Sequence, residues 1–236
     1  MNTFHLVSTL LIRKKIVHLS RGCDNSGMTA DAELRLRADA RRNRDQIIAA
    51  AKQVFAEEGP EAPMEEIARR AGVGVGTLYR RFPDREALIR GVARHNFGAV
   101  LDEARAAAAE EPTAWQALVR LIGRSSELQL SVQLGLVSPL ARQAIRSDPA
   151  TAEYREAILT ELDAIVRSAQ AEGTLREDIG TGDVALIVSM LLRPMPLADG
   201  ESAAMMRERV AALLVDGLRP GSPLPGRPIT GAELRP

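Results

Sequence analysis

In the stretch GVGVGTLYRRFPDREAL, Gly72, Gly74 and Gly76 alternate with valines ahead of an aromatic residue and two arginines. Glycines so spaced serve either a cradle for nucleotide phosphates or a tight turn between two short helices. A dinucleotide loop needs a buried strand running straight into G-x-G-x-x-G. Here the third glycine arrives one residue early, and the preceding MEEIARRA has the period and composition of a helix. No Gly-Lys-Ser/Thr occurs in the chain, so a Walker loop fails as well. The turn between helices accounts for every residue type. Two short helices cross steeply only if their backbones come close, which favours Ala71 at the crossing and Gly72 in the turn. Val73, Leu78 and Phe82 then point back at Ile67, Ala68 and Phe55. That leaves Val75, Gly76, Thr77, Tyr79, Arg80 and Arg81 outside, on a face with hydroxyl, phenol and guanidinium groups and no carboxylate before Asp84. Such a face suits a DNA major groove bordered by phosphates.

Other chemistries find little support. Cys23 is the single cysteine, and His5, His18 and His95 are the only histidines, so neither a disulfide nor a dedicated soft-metal site is expected. No Ser-His-Asp set with supports occurs, the acidic residues fall on polar helix faces, and neither an enzyme nor a cofactor is expected. The longest apolar run, Val184 to Leu192, is far short of the roughly 20 residues that cross a bilayer. Phe4 to Ile12 is apolar, but its basic cluster follows the run and no cleavage site comes after it, unlike a signal peptide. The expectation is a cytoplasmic chain. Its net charge of zero hides a gradient: residues 33–94 carry 13 basic and 10 acidic side chains, residues 95–236 carry 14 and 19. The first part is the better partner for a polyanion.

The elements that must hold this face are all helical. Residues 1–37 show no sustained period and are expected to form a flexible arm, with Met28 an alternative to Met1 as the start. Ile47, Ile48, Ala51, Val54 and Phe55 mark one face of a first helix over about 38–58, ended by Gly59 and Pro60. Met64, Ile67 and Ala68 give a second short helix and Leu78 with Phe82 a third, over about 75–82. Asp84 caps a long fourth. These make a DNA-binding domain over 38–83. Helical spacing then continues through 84–218, the ligand-binding and dimerisation domain. Within it VALIVSMLL (184–192) is apolar all round and so expected to be buried all round, and Met206, Val210, Leu213, Leu214 and Leu218 stripe a last helix. The Pro- and Gly-rich residues 219–236 are expected to be disordered. The fold class is all-α: a three-helix helix-turn-helix head before a larger helical domain.

The segment 55–92, FAEEGPEAPMEEIARRAGVGVGTLYRRFPDREALIRGV, resembles the tetracycline-repressor (TetR) family of bacterial transcription regulators, above all in G-T-L-Y followed by R-F-P-x-R-E-A-L. AQAEGTLREDIGTGDV (169–184) and DGLRP (216–220) resemble the ligand-binding halves of that family. The resemblance implies a homodimer that binds a double-stranded operator and releases it, most often as a repressor, when a small molecule fills a pocket in the larger domain. It also implies that Thr77, Tyr79, Arg81 and Arg85 meet phosphates, and that Val75 and Gly76 stand at the base-reading start of the recognition helix. Apolar contact with a thymine methyl and close backbone approach are what those two residues offer. Arg80 is the candidate for a guanine. The chain departs from the family at Pro63, Met64 and Glu65, where many relatives carry DNA-touching groups; Glu65 would repel a phosphate.

Upstream, Arg35, Arg37, Arg41, Arg42 and Arg44 make either a minor-groove arm or a solvated helix start. Specific binding by one short helix needs a second copy, and helices 184–192 and 201–218 are candidates to pair with their symmetry mates as a four-helix bundle. For an apolar or amphipathic effector the candidate lining is Trp115, Leu118, Ile122, Leu128, Leu134, Tyr154 and Met190, each of which helical spacing also explains as core, with His95, Asn96, Gln129 and Gln133 as scattered polar groups able to orient it. The competing reading is a dimeric helical binding protein without specific DNA binding.

Overall fold

The computed structural model describes residues 25–193 and 201–234. Residues 1–40 and 41–236 are separate compact units; in the first, the described residues are the opening turns of helix α1. No strand occurs among the described residues. Helix α1 (Asn25–Glu58) starts well before the expected residue 38. From Met28 to Glu58 the sequence holds no glycine or proline and is rich in Ala and Arg, so nothing breaks the helix. The flexible arm is thereby corrected for 25–37; the expectations for 1–24 lie outside the described residues.

Helices α2 (Met64–Arg70), α3 (Val75–Arg81) and α4 (Arg85–Glu110) follow. Gly72 supplies the turn between α2 and α3 with φ +67°, a left-handed conformation costly for any side chain. Asp84 caps α4, its Oδ1 accepting from Ala87 N at 2.6 Å. Ile47, Ile48 and Val54 of α1, Ile67 of α2, Leu78 of α3, and Leu88, Ile89 and Val92 of α4 are all fully buried in one core. This core closes the helix-turn-helix. It also extends further, taking in Leu134 of α6 (Gln129–Val137) and Ala141, Ala144 and Ile145 of α7 (Pro139–Arg146).

A second core forms around Val100 and Ala104 of α4, Leu118 and Leu121 of α5 (Ala114–Arg124), Leu162, Ile165 and Val166 of α8 (Pro149–Ala171), and Val184 of α9 (Thr181–Leu191). Helix α4 packs on α5, α7 and α8 and so serves both cores. Asp148 ties the cores together. Its carboxylate accepts from Thr151 N and Oγ1 to cap α8, and takes both Nε and Nη2 of Arg94 on α4. Chiefly because of Arg94, the Asp148 carboxyl lies well below the ordinary carboxylate range.

Two expectations for the C-terminal part are corrected. Helix α9 is not buried all round within the chain, since Leu186 and Met190 are exposed, as are Met205, Met206 and Leu213 of α10 (Glu201–Gly217). Residues 219–234 are not disordered but run back as a strap. Composition gives them no regular structure of their own, yet side chains upstream satisfy their backbone. Arg176 donates to Ser222 O, Asp178 accepts from Leu224 N at 2.7 Å, and Asp183 accepts from Ile229 N at 2.8 Å. Gly182 N donates to Ile229 O at 2.8 Å, and the strap ends in a 3-10 turn, Gly231–Leu234. Arg227 clamps Glu233 and holds its carboxyl down, to about 2.

Candidate functional site

The head presents α3 outward because Leu78, at its centre, is fully buried while its neighbours are not. Val75, Gly76, Tyr79, Arg80 and Arg81 are exposed and Thr77 is half-buried. Arg80 Nη2 donates to Thr77 Oγ1 at 3.0 Å, which lays that guanidinium along the helix. The arginines of the head divide into two sets. Arg69 and Arg70 of α2 are neutralised by Glu66 and Glu57, and Arg90 of α4 lies beside Asp84 and Glu86. The Glu66 carboxyl is lowered by its hydrogen bond with Arg69. Arg80 and Arg81 have no carboxylate partner among the described residues, so the unneutralised charge of this surface sits on α3. Exposed, unpaired guanidinium groups beside a phenol and a hydroxyl provide phosphate and base-edge donors.

Arg85 is placed differently from the rest. Its Nη1 donates to the carbonyls of Pro60 (2.8 Å) and Ala62, closing the turn between α1 and α2. The guanidinium is thus a brace inside the head, and only its remaining N–H groups are left for a phosphate. Upstream, Arg44 is half-buried with its guanidinium 6.0 Å from the centre of the Phe82 ring, while Arg41 and Arg42 are exposed; the side chains of Arg35 and Arg37 lie outside the described residues. Glu65 is exposed on α2.

In the second core the helices leave an apolar cavity of about 230 Å³. Phe97 of α4, Ile122 of α5, Leu159 and Leu162 of α8, Val188 of α9 and Leu234 of the strap all border it. Of the residues expected to line an effector pocket, Ile122 and Leu128 border it, while Leu134 is buried in the first core. Leu118 is fully buried in the helix packing. Trp115 stacks under Arg219, whose guanidinium lies 4.4 Å from the ring centre. The Tyr154 ring lies over Gly98, and Met190 borders a separate groove between α9 and α10. The polar candidates scatter too: His95 is exposed, and Asn96 is buried, donating to Ser131 Oγ at 3.0 Å.

Arg155, on the cavity wall, went unnoticed in the sequence. Arg155, Ile158, Leu159 and Leu162 fall at i, i+3, i+4 and i+7, so a cation stands on the apolar stripe of α8. A charge at such a position is the signal that marks it.

The family model described as bacterial regulatory proteins, tetR family, matches residues 47–92. The model for the C-terminal domain of SbtR-like transcriptional regulators matches residues 116–220. An HTH-type transcriptional regulator of Staphylococcus aureus is 46% identical over 54 residues, which is 22% of this chain and 29% of that one. The chain thus spans well under a third of the length of the curated relatives it matches. Crystal structures extend the likeness to the larger domain. A TetR transcription regulatory protein from Mycobacterium vanbaalenii is 36% identical, covering 78% of this chain and 99% of that one with a TM-score of 0.55. A TetR regulator from Streptomyces coelicolor is 33% identical, covering 76% and 99%, with the same TM-score. On this likeness through head and larger domain alike, the chain belongs to the TetR family of bacterial transcriptional regulators.

Proposed function

We propose that the protein is a ligand-responsive transcriptional repressor, a homodimer that holds a pseudo-palindromic operator and lets go when a small apolar or amphipathic effector enters the cavity of the larger domain. The observation that carries the reading is the outer face of α3, where Thr77, Tyr79, Arg80 and Arg81 stand exposed or half-exposed with no neutralising carboxylate among the described residues. Thr77, Tyr79 and Arg81 hold phosphates, Val75 and Gly76 come close to the bases, and Arg80 reads a guanine. Arg85 acts mainly by keeping the head in shape. The reading entails a cytoplasmic location and no catalytic step.

Two further features support it. The exposed apolar residues Leu186 and Met190 of α9 and Leu213 of α10 form a surface that a second copy would cover, and two heads one DNA turn apart supply the specificity that one seven-residue helix lacks. Helix α4, capped by Asp84 in the head, carries Phe97 into the cavity wall. An effector can shift the heads only if it binds better to the conformation in which they are wrongly spaced.

The test is retardation of a promoter fragment from the protein's own or a neighbouring gene at two salt concentrations. Preference for that fragment over random DNA, lost when Tyr79 and Arg81 become alanine, is the expected result. Exposed Glu65 on α2 favours a second reading, a dimeric binding protein without a specific operator; equal retardation of both fragments would select it.

A further inference from the structure

The apolar cavity does not end at Arg155. A second cavity, about 180 Å³, adjoins it and shares Phe97, Val132 and Arg155 with it. Arg142 and Arg146 of α7 border the second together with Arg155 and Ser131, and no carboxylate does. Arg142 is committed in part, its Nε donating to Gly135 O at 2.7 Å. Arg155 has no carboxylate partner among the described residues. Among the described residues it is compensated by the Phe97 ring, whose centre lies 5.8 Å from the guanidinium carbon. Burial and the like charge of Arg146 both push its pKa down. Half-burying a cation beside another cation, with only an aromatic face for company, is costly unless an anion completes the site.

Taking the cavity as the effector site proposed above, we infer that the effector is an amphipathic carboxylate, its apolar body among Leu159, Leu162 and Val188 and its acid group against Arg155 beside Arg146. A carboxylate matches the planar fork of a guanidinium and relieves both the desolvation and the repulsion. The same arrangement says how the message leaves the site. Helix α7 turns Arg142 and Arg146 to the second cavity and Ala141, Ala144 and Ile145 into the core that holds the DNA-reading helices. An anion that draws the α7 arginines toward α8 therefore pulls on the core under α3.

Calorimetric titration of the full chain with octanoate and decanoate, and with the matched alcohols octanol and decanol, tests the inference. The wild type should bind each acid at least about tenfold more tightly than its alcohol. Arg155→Gln should remove that preference, and Arg155→Lys should restore part of it. Equal binding of acids and alcohols, an unchanged preference in Arg155→Gln, or no binding of either series would overturn the carboxylate assignment. A third variant, Val188→Trp, fills the apolar cavity and should abolish both series. If Val188→Trp binds the acids like wild type, the cavity itself is not the site and the effector reading falls with it. Operator retardation by Arg155→Gln, expected to match wild type without ligand, reports separately on the DNA head and confirms that the variant is folded.

Discussion

The head and the larger domain share α4 and are built from the same kinds of residue, yet they solve opposite problems. Beneath the outer face of α3 the head is close-packed: Ile47, Ile48, Ile67, Leu78, Leu88 and Ile89 are all at zero exposure. In the larger domain Phe97, Ile122, Leu159 and Val188 surround unfilled space, and a cation stands among them. A surface that must match the fixed spacing of a double helix gains from a close-packed support, because dense packing transmits displacement without absorbing it. On the proposed reading the larger domain responds to a small molecule, and such a domain needs walls that change on filling.

Truncation at matched leucines tests that contrast most strongly. Leu78→Ala should cost about 4 kcal/mol in urea unfolding, since the head has no room to relax, whereas Leu159→Ala, which enlarges existing space, should cost about 2. Equal losses would mean that the two domains are packed alike. Next come the reading residues, whose changes should leave stability alone. Arg80→Ala should cost about tenfold to a hundredfold in discrimination at one operator position. Arg81→Ala should weaken binding to all sequences and lower the salt slope by about one, as read from filter binding across a salt series.

Arg85→Ala sharpens the boundary between support and surface within the head. Loss of its hydrogen bonds to the Pro60 and Ala62 carbonyls should lower stability by about 1.5 kcal/mol. Its salt slope should change less than that of Arg81→Ala; the reverse order would return Arg85 to the phosphate-contacting set. The smallest effect is expected at Asp148. Asn keeps the helix cap but loses the pair with Arg94, whose side chain is 41% exposed, so the change should cost only about 1 kcal/mol at neutral pH. The folded-state pKa of Asp148 is depressed, so the pair's contribution is complete above the unfolded carboxylate value of about 4. It is lost as pH falls further, and in that window Asp148→Asn should lose stability less steeply than wild type.

The head was readable because each of its residues answers a local demand. Gly72 stands where φ is positive, Asp84 where an orphan N–H needs a cap, and Leu78 and Phe82 where a short helix must turn inward. Arg85 was readable only as a charge; its partners are carbonyls in a turn whose course depends on tertiary packing. The cavity was harder. Leu118 and Ile122 lie one turn apart on the same face of α5, and spacing cannot say that the first meets side chains and the second meets space. For α9, an all-apolar run implied burial without saying whether this chain or another provides it. The strap was illegible because what orders it, Arg176, Asp178 and Asp183, lies 46 residues upstream of the groups it holds.

That strap has left a mark at the start of α9. A Cβ on Gly182 would stand 2.5 Å from Ile229 Cγ2 and 2.6 Å from the carbonyl oxygens of Ile229 and Thr230, and one on Gly180 would stand 2.3 Å from Ile229 O. The likeness to SbtR-like C-terminal domains stops at residue 220, before the strap crosses this helix. Both positions are therefore diagnostic in genomes: kindred proteins with side chains there must route or shorten their last dozen residues differently, and those keeping the glycine pair should carry a comparable extension over the apolar cavity.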